Sequence, residues 1–133
     1  MILDADRARR AATLPIDFAC EVCGERDPIA LNADVRLPLC GDHDAIRRGL
    51  APVEEHHIAG RRYSGLTVTV SVNMHRRLTA RQRRWFAQLK HLPRHVASKV
   101  ALLRGLGDFY HEHADAIDSC HRDVAGKRSG SSA

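Results

Sequence analysis

Two pairs of residues, Cys20-x2-Cys23 and Cys40-x2-His43, restrict the folding of this chain more than any other feature. Zinc favours four thiolate or imidazole ligands in a tetrahedron, and a two-residue gap lets both side chains of a pair turn back onto one ion. The sixteen residues between the pairs must then leave the ion and return to it. Gly24 and Gly41 each follow a cysteine, where tight chain reversal is expected. Four protein ligands leave no open position for water, so the expected role is a structural Zn²⁺. Asp42 or Asp44 could replace His43 as an oxygen ligand, and the competing reading is buried free cysteines beside an unrelated histidine. The chain has 133 residues and only 5% aromatics, so its core is modest and a metal staple suits it.

The compartment expected from the sequence supports ligands over disulfides. The opening MILDADRARR has no apolar core for a signal peptide, and no apolar run approaches the ~20 residues of a membrane helix. An intracellular, cytoplasmic chain without a membrane partner is expected, where clustered cysteines read as metal ligands. Cys120 is a lone thiol, and the looser group His111, His113, Cys120 and His121 reads as solvent-facing side chains rather than a second metal site.

Charge is unevenly distributed. Residues 61–104 carry eleven Lys or Arg and no Asp or Glu, whereas residues 1–60 carry seven basic and eleven acidic residues. A basic block of this kind favours a polyanion, most simply nucleic acid, over a merely solvated face.

The pattern along the chain predicts an α+β fold. A short helix over residues 2–12 ends before Pro15, and CEVCGERDP (20–28) is a turn-rich knuckle. ADVRLPL (33–39) is expected to include a short strand entering Cys40. A helix over 42–50 starts at Asp42 and stops at Gly49 and Pro52. VEEHHIA (53–59) and the alternating LTVTVSV (66–72) read as strands, joined by a loop over 60–65. NMHRRLTARQRRWFAQLKHL (73–92) reads as a helix with Asn73 as N-cap and a second capping box at Thr79 and Gln82. One or two further helices over 94–123 are expected to break at Gly105 and Gly107, before a disordered tail at 125–133.

The segments EEHHIAGRR (54–62) and LTVTVSVNMHRRLTARQ (66–82), with CEVCG (20–24) upstream, resemble the HNH endonuclease family. The resemblance covers roughly residues 18–85. It implies a zinc-stapled ββα-metal, treble-clef-like core at 18–92, flanked by an N-terminal helix (1–17) and C-terminal helices (93–124). By the same resemblance, His57 is the general base that deprotonates the attacking water. His56 and His75 are ligands of a catalytic divalent ion, Mg²⁺ or another. An imidazole with an unperturbed pKa near 6.5 can take that proton near neutral pH. His56 and His57 alternate faces on a regular strand, so serving one phosphate requires the strand to twist, bulge or end there. Many relatives carry a second Cys-x2-Cys before the helical histidine. Here Ser71 and Met74 occupy those places, and Cys40 with His43 supplies the missing pair. The family's middle asparagine has no match in residues 58–72, where Leu66 stands near its expected place and Ser64 or Thr67 could substitute.

Around that centre, Arg61, Arg62, Arg76, Arg77, Arg81 and Arg84 are the expected contacts to a nucleic acid, with double-stranded DNA the expected partner. Trp85, with Phe86, Leu89 and Leu92, is expected in the core rather than stacked on a base. Val96, Val100, Leu103 and Leu106 continue an apolar stripe that packs on the core or on a second copy in a homodimer. Two rival functions stand beside the endonuclease. One is a zinc-stapled DNA-binding module with a degenerate nuclease centre. The other is a protein-interaction domain built on zinc, for which the basic block would be incidental.

Overall fold

The computed structural model describes residues 2–130. Its elements are α1 (Ile2–Ala11), α2 (Gly41–Arg47), β1 (Val53–His57), β2 (Thr67–Ser71), α3 (Val72–Leu89) and α4 (Arg94–Ser129). The expected α+β class is observed, with one antiparallel two-stranded sheet. Among the described residues no helix is long and apolar enough to cross a membrane.

The hairpin runs from Val53↔Ser71 to His57↔Thr67. Residues opposite one another share a sheet face, so Glu54 and His56 lie on the face of Val70 and Val68. Val68 and Val70 pack with Met74, Leu78 and Phe109, which seats this face on α3 and α4. Glu55, His57, Thr67 and Thr69 fall on the other face, where Thr69 donates to Glu55. A two-stranded sheet is marginal alone, so its stability comes from this helical support.

The helix α3 follows β2 without a loop. Its N-cap is Ser71, whose hydroxyl accepts from Met74 N at 3.1 Å. This corrects the expected cap at Asn73, which is buried two residues further on, within the first turn, and bonded elsewhere. No second capping box forms at Thr79 and Gln82, because the helix continues unbroken and Gln82 is buried. Trp85 lies in the core as expected, with Ala59, Leu89, Ala97 and Ala101.

Three further expectations are corrected. Residues 33–39 form turns, not a strand, and only a single bridge joins Leu31 to Cys40. The Asp34 carboxylate accepts from Arg36 N at 3.0 Å and Pro38 has no N–H to give a ladder. Second, α4 does not break at Gly105 and Gly107 but continues for 36 residues, about 54 Å. Gly105 serves close approach: a Cβ there would lie 1.7 Å from the Ile58 carbonyl oxygen. The buried face of α4 is thus Ala97, Ala101 and Gly105, while Leu103 of the expected stripe is 70% exposed. Third, α4 runs through most of the expected disordered tail to Ser129; residues 131–133 lie outside the described residues.

Gly105 and Gly107 therefore make opposite predictions. Gly105→Ala is expected to destabilise the protein by about 1–3 kcal/mol through overpacking on the Ile58 carbonyl. Gly107 has nothing near its missing Cβ, so Gly107→Ala is expected to stabilise by about 0.5–1 kcal/mol. Urea unfolding of the two variants beside the wild type measures both.

Candidate functional site

Cys20, Cys23, Cys40 and His43 converge as the spacing predicts. Their ligand atoms all lie within 4.8 Å of one another, and the group could hold a metal such as zinc. The observed edges are 3.9 Å for Cys23 Sγ–Cys40 Sγ, 3.6 Å for Cys20 Sγ–His43 Nδ1 and 3.2 Å for Cys40 Sγ–His43 Nδ1. A tetrahedron built from zinc bond lengths has S···S and S···N edges of about 3.8 and 3.6 Å, so the donor set fits the ion. Gly24 takes φ +78° to reverse the first pair, and Gly41 N donates to Ala30 O to close the second. Burial pushes the Cys20 thiol up, but backbone hydrogen bonds at Cys40, Cys23 and Val22 outweigh it and bring it down to about 6. Burial raises Cys23 to about 11, so an ion must displace its proton to bind. Leu31 and Leu39 pack with Cys20 and Cys40 and shield one side of the group.

This knuckle is locked to α3. Asp42, between the two ligands of the second pair, accepts from Asn73 N at 2.9 Å, and Asn73 Oδ1 accepts from Asp42 N at 3.1 Å. Gly41 makes the approach possible, since a Cβ there would meet Val72 Cγ1 at 2.6 Å. Arg76 adds a third tie, its Nη1 donating to Ala30 O at 3.0 Å and Asn32 Oδ1 at 2.8 Å.

Two residues after Asn73 comes His75. The structure brings it to His56, with ring centroids 5.3 Å apart and planes at 76°. His75 Nδ1 lies 2.8 Å from Glu54 Oε2, so a neutral His75 that donates through Nδ1 presents its lone pair at Nε2. His56 is only 3% exposed. Burial, and then the nearby His75 and His57, lower its pKa from the ordinary 6.5 to about 4. His57 ends β1, half-buried, on the opposite sheet face from His56. The strand ends at His57 with its pairing regular, so the two side chains stay on opposite faces. Among the described residues only the Cys3His group gathers three or more ligand atoms around one point, so Glu54, His56 and His75 form a looser set.

Sequence reasoning assigned Gln82 to a cap and missed its role here. Its Nε2 donates to His57 O at 2.6 Å and Ile58 O at 3.2 Å, and lies 3.1 Å from His56 Nε2. Two carbonyls only accept, which fixes the amide orientation and engages both of its N–H groups, with His56 Nε2 against the same nitrogen. Gln82 therefore braces the backbone around the histidine pair from seven residues beyond His75. The available signal was a polar residue four positions after Leu78 and three before Trp85, at the helical spacing those apolar residues share.

The expected phosphate contacts divide. Arg61 and Arg62 are exposed in the loop after β1. Arg77 and Arg81 instead face inward, which corrects their assignment. Arg77 pairs with Glu25 at 2.6 Å and Asp27 at 2.8 Å, and Asp27 also holds Arg7 at 3.0 Å. Burial opposes the charge of both Arg77 and Asp27. Their mutual contacts prevail, raising the pKa of Arg77 and, with Arg7, lowering that of Asp27. Arg81 is buried against Glu112 at 2.5 Å, next to Asp108, which accepts from Trp85 Nε1 at 2.8 Å. Arg84 is partly buried, with its Nε shielded and unbonded. The physical reason is pairing at long range: the acids absent from residues 61–104 are supplied from both flanks. The looser group at His111, His113, Cys120 and His121 does not gather; His111 lies 3.4 Å from Asp115 and His113 Nδ1 donates to Phe109 O.

Purified protein is expected to hold about one zinc per chain, and Cys40→Ser to lose it together with cooperative unfolding; elemental analysis with thermal melting checks both. His56 gives a pH dependence of definite sign. The unfolded chain protonates it below 6.5 but the folded chain resists until about 4, so stability present above 6.5 is lost as pH falls through that window. The loss is expected to be about 2–3 kcal/mol, and unfolding of His56→Gln without added divalent ion should show a correspondingly shallower pH slope.

No protein-family model, curated protein or solved structure matches the chain.

Proposed function

We propose that the chain is a small metal-dependent endonuclease of the HNH type that hydrolyses phosphodiester bonds in DNA. The observation that carries this reading is the contact of His56 in β1 with His75 in the first turn of α3, the latter braced by Glu54, with His57 following His56 at the end of the strand. A hairpin, a following helix and an adjoining Cys3His knuckle are the parts a ββα-metal, treble-clef-like core requires. His57 stands as the general base, taking a proton from the attacking water. Gln82 holds the carbonyls of His57 and Ile58, which supplies the bracing otherwise expected of the absent asparagine. His75, with Nδ1 turned to Glu54, offers Nε2 to a divalent ion, and His56 offers its imidazole once Gln82 yields it. A bound divalent ion supplies charge neutralisation at the scissile phosphate and the leaving oxygen. Two imidazoles suit zinc or nickel better than magnesium, whose ligands are oxygens. Arg61 and Arg62, in the loop following the pair, provide charge for the strand backbone.

The second reading is a zinc-stapled DNA-binding module whose nuclease centre is inactive. It is favoured by one observation, the contact between Gln82 and His56 Nε2.

Supercoiled plasmid incubated with Mg²⁺, Mn²⁺, Ni²⁺ or Zn²⁺ separates the two. Cleavage is expected with at least one ion and should drop about 100-fold or more in His57→Ala. Undiminished cleavage by purified His57→Ala would remove His57 from the mechanism. Salt-sensitive binding with no cleavage under any ion would select the second reading.

A further inference from the structure

A cleft opens between α1 and the first half of α3, with a volume of about 250 Å³. Arg10 enters from α1, Ile29 from the knuckle loop, and His75, Arg76, Thr79 and Arg83 from α3. No carboxylate lines it. The arginines here differ from the others of α3. Arg77 and Arg81 each meet two acids, whereas no described carboxylate is paired with Arg10, Arg76 or Arg83. Arg10 gives a hydrogen bond to Leu31 O at 3.1 Å and Arg76 gives Nη1 to the knuckle loop, contacts that orient the guanidinium groups without neutralising them. The recess continues along α1 as a second cavity of about 310 Å³, which shares Arg10 and Arg83 and adds Arg9. Asp6 lines that extension, where it is 3.2 Å from Arg9.

We infer that this groove seats the phosphodiester backbone of a nucleic-acid strand, with Arg10, Arg76 and Arg83 as its phosphate contacts and His75 at its end. Converging like charges in a concave wall focus a positive field and raise the local concentration of an anion. A guanidinium can hold phosphate oxygens through paired N–H donors, and the Thr79 hydroxyl adds a further donor. From His75 to Arg83 the wall extends about 12 Å along α3, longer than one phosphate needs and open along its length, which argues for a strand over a small phosphate compound. Because His75 belongs to both the groove and the histidine cluster, a strand seated here passes beside His56. The inference rests on the nucleic-acid part of the proposed function and not on cleavage.

The test is fluorescence anisotropy of full-length protein with short labelled single- and double-stranded oligonucleotides, titrated with salt and without added divalent ion. Arg83 is exposed and makes no bond that the fold needs, so Arg83→Ala should fold normally. It is expected to weaken binding about fivefold and reduce the log–log salt slope by about one. Arg36→Ala removes the same charge from a side chain 89% exposed elsewhere, and should leave both quantities nearly unchanged. Equal effects of the two substitutions would overturn the inference. So would Arg83-dependent binding of pyrophosphate with no oligonucleotide binding, which would mark the groove as a small-phosphate site. Arg83-dependent oligonucleotide binding by a protein that cleaves nothing would uphold the groove while refuting the endonuclease.

Discussion

The reciprocal hydrogen bonds between Asp42 and Asn73 are the joint on which the rest of the arrangement depends. Asp42 lies inside the second ligand pair, and Asn73 lies in the first turn of α3, two residues before His75. Closing the knuckle on an ion therefore also fixes the start of α3. The position of His75 follows, and from it the contact with Glu54 on β1. Asn73 is buried, so loss of its partner would leave amide and backbone groups unsatisfied, a cost of about 1–3 kcal/mol. The knuckle and the start of α3 are thus linked through this pair together with the ties that Arg76 and Arg77 make to the knuckle loop.

A second constraint is electrostatic. Helix α3 carries its arginines toward partners that are remote in sequence: Arg77 to the knuckle loop, Arg81 to α4. Removing one member of such a buried pair strands the other, which costs far more than the pair itself contributes. These contacts therefore set orientation, fixing α3 between the knuckle and α4. Of the remaining arginines on the same helix, Arg76 and Arg83 share one wall with Arg10, while Arg84 is partly buried. One basic helix consequently has two faces with different purposes, one neutralised inside the fold and one kept positive outside it.

The features legible in the sequence were those set by neighbours in the chain. The ligand spacing of Cys20, Cys23, Cys40 and His43 and the alternation of LTVTVSV are local patterns, and both correspond to the structure. What escaped reading was long-range. Gly105 carries the local signal of a helix break, yet it is there because Ile58 approaches from nearly fifty residues away. Asn73 has the local signal of a cap, but its partner lies in the knuckle. Gln82 is an ordinary helix residue until the carbonyls of His57 and Ile58 are placed against it. Arg77 and Arg81 looked free because their acids lie outside the basic block. Residues 125–129 were misread on composition alone, since AGKRS gives no apolar period to a helix that in fact extends from a packed segment.

The contact of Gly105 with Ile58 also has a mechanical meaning. Helix α4 touches backbone there, not a side chain that could rotate away, and Ile58 is the residue after His57. About 36 Å of helix extend beyond that point toward Ser129, most of it solvent-exposed. The helix is held there and again two turns on, where Glu112 meets Arg81, so the turn that carries His57 is bounded by a doubly anchored stretch of α4.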